Sequence, residues 1–323
     1  MKKEILPEIP FDLVWKDAID DFFEDFILFF LPKLYYDIDW TQAFVSLEQE
    51  LHEIIQAEIP DSKIRETDKL VKVFLKNGDS TILYIHIEIQ SFFEKEFSKR
   101  MYTYCRLIMR KYGLEYLTAL AVFTGKKTPK HFDRYGWDCY GTSMSYQYNT
   151  YRIAKQNIEE LELSDNPFAL MVLANLLTIN TANEYAKRFQ FKRKLYNLIS
   201  ERGYDRKKFS RLLFFISDLM VLPQSLSGEF TKYLKTQSPS KEKNMRAPSK
   251  TTLEIVDALC EGTYHTTVAI ERAEKEKAQA EKEKERKKTI SKLYFTKKWT
   301  IAEVAEFLDL DTTIVEHIIN NDN

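Results

Sequence analysis

Apolar residues at helical spacing open the chain. Residues 11–31 place large aromatic side chains on one helical face, and Pro32 ends this run. Residues 43–59 repeat the pattern with smaller apolar residues, and Glu50 lies on the acidic face of this predicted helix. A helix packed on a core and a second amphipathic helix are therefore predicted before residue 60.

A β-hairpin is predicted over residues 68–90, where the apolar period changes to two. The turn residues 77-NGD-79 separate the two predicted strands. The second strand places Tyr84, His86, Glu88 and Gln90 on one face and Leu83, Ile85, Ile87 and Ile89 on the other. The polar residues are thus grouped by the pleat of the strand.

Further elements extend this order into a mixed α/β pattern. A basic amphipathic helix is predicted over residues 98–113 and ends at Gly113. The nearly continuous apolar run 117–124 is typical of a strand that is buried on both faces, and the alternating run 145–156 predicts another strand. We therefore expect a mixed central sheet flanked by helices.

Strand patterns disappear in the second half of the chain. Residues 168–222 predict helices only, whereas the Ser- and Pro-containing stretches 223–228 and 236–250 predict a linker. Near the end, Thr300 and Glu303 form a capping-box motif in a helix-turn-helix outline. We expect a core over residues 1–165, a helical extension with a basic cluster over 166–235, a linker over 236–250, and a charged helix with a terminal helical module over 251–323.

Composition and charge limit the class of protein. The formal net charge is −1 over 323 residues, so any surface that binds nucleic acid must be local. Three cysteines fit neither a disulfide framework nor a zinc site, which favours a reducing compartment. The first residues lack the apolar stretch of a secretory signal, and no apolar run is long enough to span a bilayer. We expect a cytoplasmic protein without a membrane partner.

The candidate chemistry lies at the open end of the predicted hairpin. Asp68 and Glu88 would repel each other on adjacent sheet positions unless a cation lay between them. Carboxylate oxygens are the ligands that Mg²⁺ and Mn²⁺ prefer. Such an ion can bind a scissile phosphate and activate water, so the pattern indicates hydrolysis of phosphodiester bonds.

Several segments together resemble a known family. Asp68 followed by Glu88-Ile-Gln90 resembles the PD-(D/E)xK nuclease signature in the variant in which Gln replaces Lys. More narrowly, five segments in order resemble the Rpn family of recombination-promoting nucleases, over about the first two-thirds of the chain. These segments are 15-WKDAIDDFFEDFILFFLP-32, 65-RETDKLVKV-73, 86-HIEIQ-90, 100-RMYTYCRLI-108 and 165-DNPFALMVLANLL-177.

The resemblance implies a restriction-endonuclease-like core that cuts DNA with a divalent metal, in recombination or mobile-element biology. Asp68 and Glu88 match the metal ligands, Gln90 takes the place of the usual Lys, and Glu50 matches loosely a position where such nucleases add an acid. Thr67 stands where the motif has Pro. Gln90 can orient water or phosphate but cannot carry a positive charge. Pairing of two copies is a reasonable way to cut both strands.

Cationic residues supply candidate contacts to DNA. Arg100 and Arg106 lie on the predicted basic helix just after the hairpin, where they could follow a phosphate backbone. A second basic cluster over residues 187–211 includes Lys192, Arg193 and Lys194. The alternative for both sets is that long side chains cover the outer faces of their helices.

Other functions compatible with the sequence remain open at this point. Asp68 and Glu88 could belong to a hairpin whose polar face simply meets solvent. Gln90 in place of Lys is compatible with a weak or inactive nuclease fold that binds DNA or protein. The last predicted helix, residues 311–320, has no Arg or Lys and therefore favours docking to protein over reading DNA. In a third hypothesis the chain is a self-assembling adaptor, governed by its charged tail and terminal module.

Overall fold

The computed structural model describes residues 11–58, 68–76, 82–113, 116–128, 131–236 and 288–308, with residues 310, 312, 315, 318 and 319. The predicted hairpin turn at 77–79, the linker over 237–250 and most of the charged tail helix lie outside these residues. The chain divides after Leu253 into two compact units.

Three short helices begin the first unit: α1 (Phe11–Asp21), α2 (Phe23–Phe30) and α3 (Pro32–Asp37). The single helix predicted over residues 11–31 is therefore broken at Phe22, whose φ of −136° and ψ of 39° are not helical. Pro32 ends α2 as predicted and also occupies the first turn of α3, where its missing N–H costs no hydrogen bond.

The central sheet has five strands in the order β1-β2-β3-β4-β7. The strands are β1 (Val45–Ser46), β2 (Lys69–Phe74), β3 (Ile82–Gln90), β4 (Leu117–Phe123) and β7 (Asn149–Arg152). β1, β2 and β3 pair antiparallel, whereas β3, β4 and β7 pair parallel. The prediction of a mixed sheet flanked by helices is thus confirmed.

Helices α4 (Glu48–Glu58) and α5 (Phe97–Tyr112) cover one face of this sheet. α4 begins later than the predicted residue 43, because Val45 and Ser46 pair with β2 as an edge strand. α5 ends as predicted at Gly113, whose φ of 63° lies in the left-handed region that glycine adopts at low cost. Its buried face contacts the polar face of β3.

The other face of the sheet packs against helices from both ends of the unit. After a short 3₁₀ turn (Ile153–Lys155), the second half forms α6 (Ile158–Leu163), α7 (Pro167–Asn180), α8 (Tyr185–Glu201), α9 (Arg206–Leu219) and α10 (Gln224–Thr236). α7 is buried along nearly its whole length, and it joins α1, α2 and α9 in the largest apolar cluster. The prediction of a helical region is confirmed. The predicted linker at 223–228 is wrong, because these residues begin α10.

A separate hairpin was not predicted. It consists of β5 (Arg134–Cys139) and β6 (Thr142–Gln147), which pair with each other in a two-stranded sheet. The run predicted as one strand over residues 145–156 is therefore divided between β6, β7 and the 3₁₀ turn. Tyr102 of α5 stacks on Tyr135 of this hairpin, with ring centroids 5.2 Å apart.

The second unit contains a π-helical turn (Lys292–Thr296) and helix α11 (Ile301–Phe307). The predicted capping box is present, because the Thr300 hydroxyl accepts from the Glu303 N–H while the Glu303 carboxylate accepts from the Thr300 N–H. Residues 312, 315, 318 and 319 are also helical. Among the described residues of both units, no helix is both long enough and apolar enough to cross a membrane.

Candidate active site

The register of the hairpin brings the two predicted acids together. Lys69 of β2 pairs with Ile87 of β3, so Asp68, one residue before β2, is opposite Glu88 in the antiparallel register. Both side chains are fully buried, and so are those of His86 and Gln90. The alternative of a hairpin face that simply meets solvent is therefore wrong. These polar side chains lie between the sheet and α5.

A guanidinium group from α5 binds both acids. Arg100 Nη1 donates to Glu88 Oε1 at 2.9 Å and to Glu88 Oε2 at 3.1 Å, and it lies 3.7 Å from Asp68 Oδ1. The Arg100 side chain is only 15% exposed. The two carboxyl groups thus converge on one cation, which we call the acid pair (Asp68 and Glu88) with its bound arginine.

Gln90 is tied into the same network. Its Oε1 accepts from Arg100 Nη2 at 3.0 Å, and its Nε2 donates to the carbonyl of Phe92 at 2.5 Å. Arg100 Nη2 also donates to Glu94 Oε2 at 3.1 Å. Gln90 therefore faces the acid pair as a neutral, oriented amide, and the loop after β3 is bonded to the site.

Burial and repulsion act against charge at the acid pair. Burial is the main cause that raises the pKa of Glu88, and the Asp68 carboxylate adds to it by repulsion and by accepting a hydrogen bond from protonated Glu88. Because Arg100 and His86 oppose these effects, the resulting pKa is about 8. The two carboxylates in turn raise the pKa of Arg100 above its ordinary value, despite its burial. One positive charge is thus not enough to offset two buried carboxylates.

His86 contributes an uncharged wall. Burial lowers its pKa to about 4, because desolvation and Arg100 outweigh the attraction of Glu88. Its ring lies 5.6 Å from that of Tyr104. The Arg100 guanidinium carbon lies over the rings of Phe97 and Tyr104, 5.2 Å and 5.7 Å from their centroids. The site is therefore a polar cluster enclosed by aromatic rings.

The donor chemistry of the acid pair fits a divalent metal ion. Two carboxylates offer oxygen ligands only, and Mg²⁺ commonly binds one or two carboxylates while it keeps several waters. Among the described residues no group of three or more His, Cys, Asp and Glu side chains could hold a metal ion. The remaining ligands would thus have to come from water, the main chain or substrate. Arg100 now contacts the oxygens that the ion would need.

Glu50, predicted as a further acid, is not brought to the acid pair. Glu50 is half-buried on α4. Its charge adds to the effect of burial in raising the pKa of Tyr112. Tyr112 is twelve residues from Arg100 along α5, a distance of about 18 Å along a helix. The charged groups that shift the Glu88 pKa are instead Arg100, Asp68 and His86.

The buried Lys69 is the centre of a second ionic cluster, which the sequence patterns did not indicate. It follows Asp68 and points to the opposite face of the sheet, where its ammonium binds Glu48 and, at 2.7 Å, Asp20. Lys16 also binds Glu48, at 2.6 Å. These cations lower the pKa of Glu48 against the effect of its burial. The cluster ties α1 and α4 to β2 beside the acid pair.

The predicted DNA-binding cations have different surroundings. Arg106 is exposed on α5, whereas Arg100 is enclosed in the site. On α8, Lys194 is half-exposed and binds Glu162, and Arg193 lies 4.2 Å from the ring of Tyr233. Only Arg106 and Lys194 of these four present a large part of the side chain to solvent.

Lys192 has a role within the helical layer. It is buried, and its ammonium donates to the carbonyls of Ser217 and Met220 at the end of α9, at 3.4 Å and 3.2 Å. Arg188 makes similar bonds to the carbonyls of Thr178 and Thr181 at the end of α7. Cations are favourable at these carboxyl ends because the helix dipole and the unpaired carbonyls are negative there. Part of the basic cluster therefore stabilises helix ends.

The sequence contained a signal for the position of Arg100. Phe97, Met101, Tyr104 and Ile108 are buried and recur at helical spacing along α5. Arg100 is three residues after Phe97 and four before Tyr104, which places it at the edge of the same face. The prediction that Arg100 contacts DNA rests on its charge and does not use this spacing.

Comparison with known proteins gave no match to a family model, a curated protein or a solved structure.

Proposed function

We propose that this protein is a metal-dependent DNA endonuclease of the recombination-promoting nuclease type, with a restriction-endonuclease-like core. The observation that carries the proposal is the acid pair: two buried carboxyl groups, opposed across β2 and β3, that converge on a single cation. Buried groups with strongly shifted pKa values are typical of functional sites. The mixed sheet flanked by helices supports the fold part of the proposal.

In this proposal Asp68 and Glu88 hold Mg²⁺ or Mn²⁺. When bound, the ion would supply a positive charge to a phosphate oxygen, a lower pKa for water and neutralisation of the leaving oxygen. Gln90 orients water or phosphate through its amide, which is held by Arg100 and the Phe92 carbonyl. His86 and Tyr104 exclude bulk solvent behind the acids, which strengthens electrostatic interactions in the site.

DNA is the substrate that this proposal implies. Arg106 lies exposed on α5, the helix that also carries Arg100 into the site, and it would contact phosphates beside the cleaved bond. Such contacts would weaken steeply with added salt. The free thiols of Cys105 and Cys139 support a reducing, cytoplasmic setting.

A specific observation also supports a second candidate, a nuclease fold that binds DNA or protein without cutting it. Arg100 already neutralises part of the charge of the acid pair, and Gln90 brings no positive charge to the site. A protein of this kind would keep the acid pair and its arginine as a structural ion cluster. It would bind no divalent ion at Asp68 and Glu88.

Nicking of supercoiled plasmid DNA in Mg²⁺ or Mn²⁺ separates the two candidates. The endonuclease proposal predicts that Asp68→Asn and Glu88→Gln each lower the nicking rate by at least about a hundredfold, because each removes a metal ligand. Glu201→Gln, which neutralises an exposed acid on α8, is the matched control and should cut at the normal rate. A folded Asp68→Asn protein that nicks as fast as the unaltered chain would refute the assignment.

A further inference from the structure

Arg100 binds the acid pair and its neighbours through several hydrogen bonds. Its two terminal nitrogens make four hydrogen bonds of 2.9–3.1 Å, to both oxygens of Glu88, to Gln90 and to Glu94. The Asp68 carboxylate lies 3.7 Å away. Hydrogen bonds donated by a charged guanidinium are stronger than those between neutral groups. The guanidinium is thus a resident of the site rather than a group that waits at its edge.

Rigid surroundings hold the guanidinium in this place. The Arg100 side chain starts from the edge of the buried face of α5, and its guanidinium lies over the rings of Phe97 and Tyr104. Glu94, which is 25% exposed, anchors it from outside the acid pair. Gly125 packs so closely on the Ser91 carbonyl that a Cβ atom would lie 2.1 Å from that oxygen. This close contact fixes the position of the chain at Ser91, three residues before Glu94.

The same carboxylate oxygens cannot bind Arg100 and a divalent ion in full. The guanidinium bonds both Glu88 oxygens and faces the nearest Asp68 oxygen, which is where an ion held by both acids would lie. A divalent ion brings two positive charges to two carboxylates, whereas Arg100 brings one and shares it with Glu94. Charge therefore favours the ion, while the preformed bonds favour the arginine.

We propose that Arg100 is the internal counterion of the acid pair and that a divalent metal ion binds by displacing it. This inference rests on the proposed function, because it takes Asp68 and Glu88 as the metal ligands. The apparent affinity for the ion is then the intrinsic affinity multiplied by the fraction of molecules in which Arg100 has left the acids, so the need for displacement lowers it. It also frees a guanidinium beside the ion, where a phosphate group is the complementary anion.

The direction of one substitution distinguishes this role from a merely structural one. If Arg100 competes with the ion, Arg100→Gln strengthens metal binding, because the acids no longer have to release a cation. If Arg100 instead organises the acids for the ion, the same substitution weakens metal binding. Glu94→Gln gives a milder test, because Glu94 accepts a hydrogen bond from Arg100 but is not one of the two proposed metal ligands.

Calorimetric titration of the full chain with Mn²⁺ alone measures this direction. We expect Arg100→Gln to lower the Mn²⁺ dissociation constant by at least about tenfold and Glu94→Gln by about threefold, because both loosen the hold of the arginine on the acids. Arg100→Lys keeps the charge without the planar fork and should fall between the unaltered chain and Arg100→Gln. Thermal unfolding provides a second readout, in which Mn²⁺ should raise the melting temperature of Arg100→Gln more than that of the unaltered chain.

The outcomes separate this inference from the proposed function. Mn²⁺ binding that Asp68→Asn abolishes, but that Arg100→Gln leaves equal or weaker, would overturn the inference alone. Mn²⁺ binding that Asp68→Asn leaves unchanged, or an absence of binding in the unaltered chain and in every variant, would overturn the proposed function. A gain in affinity in Arg100→Gln that Asp68→Asn removes again would support both.

Discussion

At the residue scale, Glu88 lies in surroundings that oppose its own charge. It is fully buried and faces a second acid, and its pKa rises to about 8 even though Arg100 binds it. A structural ion pair would have no need of a second buried carboxyl group beside it. Surroundings that cost stability without a structural return are typical of sites that are kept for function.

We expect the cost of Glu88 to appear as a pH dependence of stability. Its folded pKa of about 8 lies above the unfolded value of 4.5, so the folded state binds more protons and stability falls as pH rises toward 8. His86, with a folded pKa of about 4 against 6.5 unfolded, acts mainly below pH 6.5 and in the opposite direction. The range between pH 6.5 and 8 therefore reports on Glu88.

Chemical unfolding in metal-free buffer tests this expectation. The free energy of unfolding should fall by up to about 2 kcal/mol across this range in the unaltered chain, and Glu88→Gln should remove the fall. Glu201→Gln serves again as the control and should keep it. An unchanged slope in Glu88→Gln would show that Glu88 titrates normally.

The sequence predicted which residues meet but not what surrounds them. The two-residue period of β3 placed Glu88 and Gln90 on one face, and the antiparallel register then fixed Asp68 opposite Glu88. Burial could not be predicted, since a polar strand face is more often exposed and only the packing of α5 covers this one. Charge alone predicts that Arg100 contacts DNA, whereas helical spacing places it at the edge of the buried face of α5.

At the element scale, helix ends account for part of the cationic sequence. Lys192 is buried, and burial lowers its pKa to about 8 from 10.5, although Asp218 opposes the shift. Lys208 and Arg211 of α9 bind Asp25 and Asp21 of the first helices, at 2.7 Å and 3.1 Å. Cations that looked like a phosphate-binding cluster thus connect helices to one another.

Lys192→Met should change the response of stability to alkaline pH. Because the folded pKa is below the unfolded one, the unfolded chain holds the extra proton, and stability rises as pH increases from about 8 to 10.5. This contribution is at most about 3 kcal/mol, and Lys192→Met should remove it. Lys194→Met, on the exposed side of the same helix, should retain the rise. Equal slopes in the two variants would mean that Lys192 is not desolvated.

Elements with one dominant pattern were predicted, and those with mixed patterns were not. β4 is continuously apolar and α5 is strongly amphipathic, so both were found near their observed bounds. The β5–β6 hairpin is largely exposed, so burial imposes little alternation on its sequence. α10 contains Ser and Gly, which indicate a linker, yet Phe230 and Leu234 are buried and stabilise the helix.

At the scale of the whole molecule, the residues of the proposed site belong to one of two compact units. The acid pair, Gln90 and Arg100 all lie before Leu253, whereas the capping box at Thr300 belongs to the second unit. The second unit has its own apolar cluster, which includes Ile290, Val304 and Val315. Catalysis and the terminal module are therefore separable under the endonuclease proposal.

Truncation after Leu253 tests this separation against the adaptor hypothesis. We expect the shortened chain to nick plasmid DNA within about twofold of the full-length rate, since no ligand or aromatic wall residue is removed. The shortened chain with Asp68→Asn is the matched control and should be inactive. A shortened chain that remains folded but no longer nicks DNA would show that cleavage requires the terminal unit, and a full-length chain that does not nick DNA would favour the adaptor hypothesis.

The endonuclease proposal requires that Asp68 and Glu88 bind one divalent ion together. A crystal structure of the protein soaked in Mn²⁺, with anomalous diffraction to locate the metal, tests it most directly. We expect an anomalous peak about 2 Å from an oxygen of each acid, with the Arg100 guanidinium moved away from Glu88. An acid pair without an anomalous peak, and with Arg100 still bonded to Glu88 at saturating Mn²⁺, would contradict it.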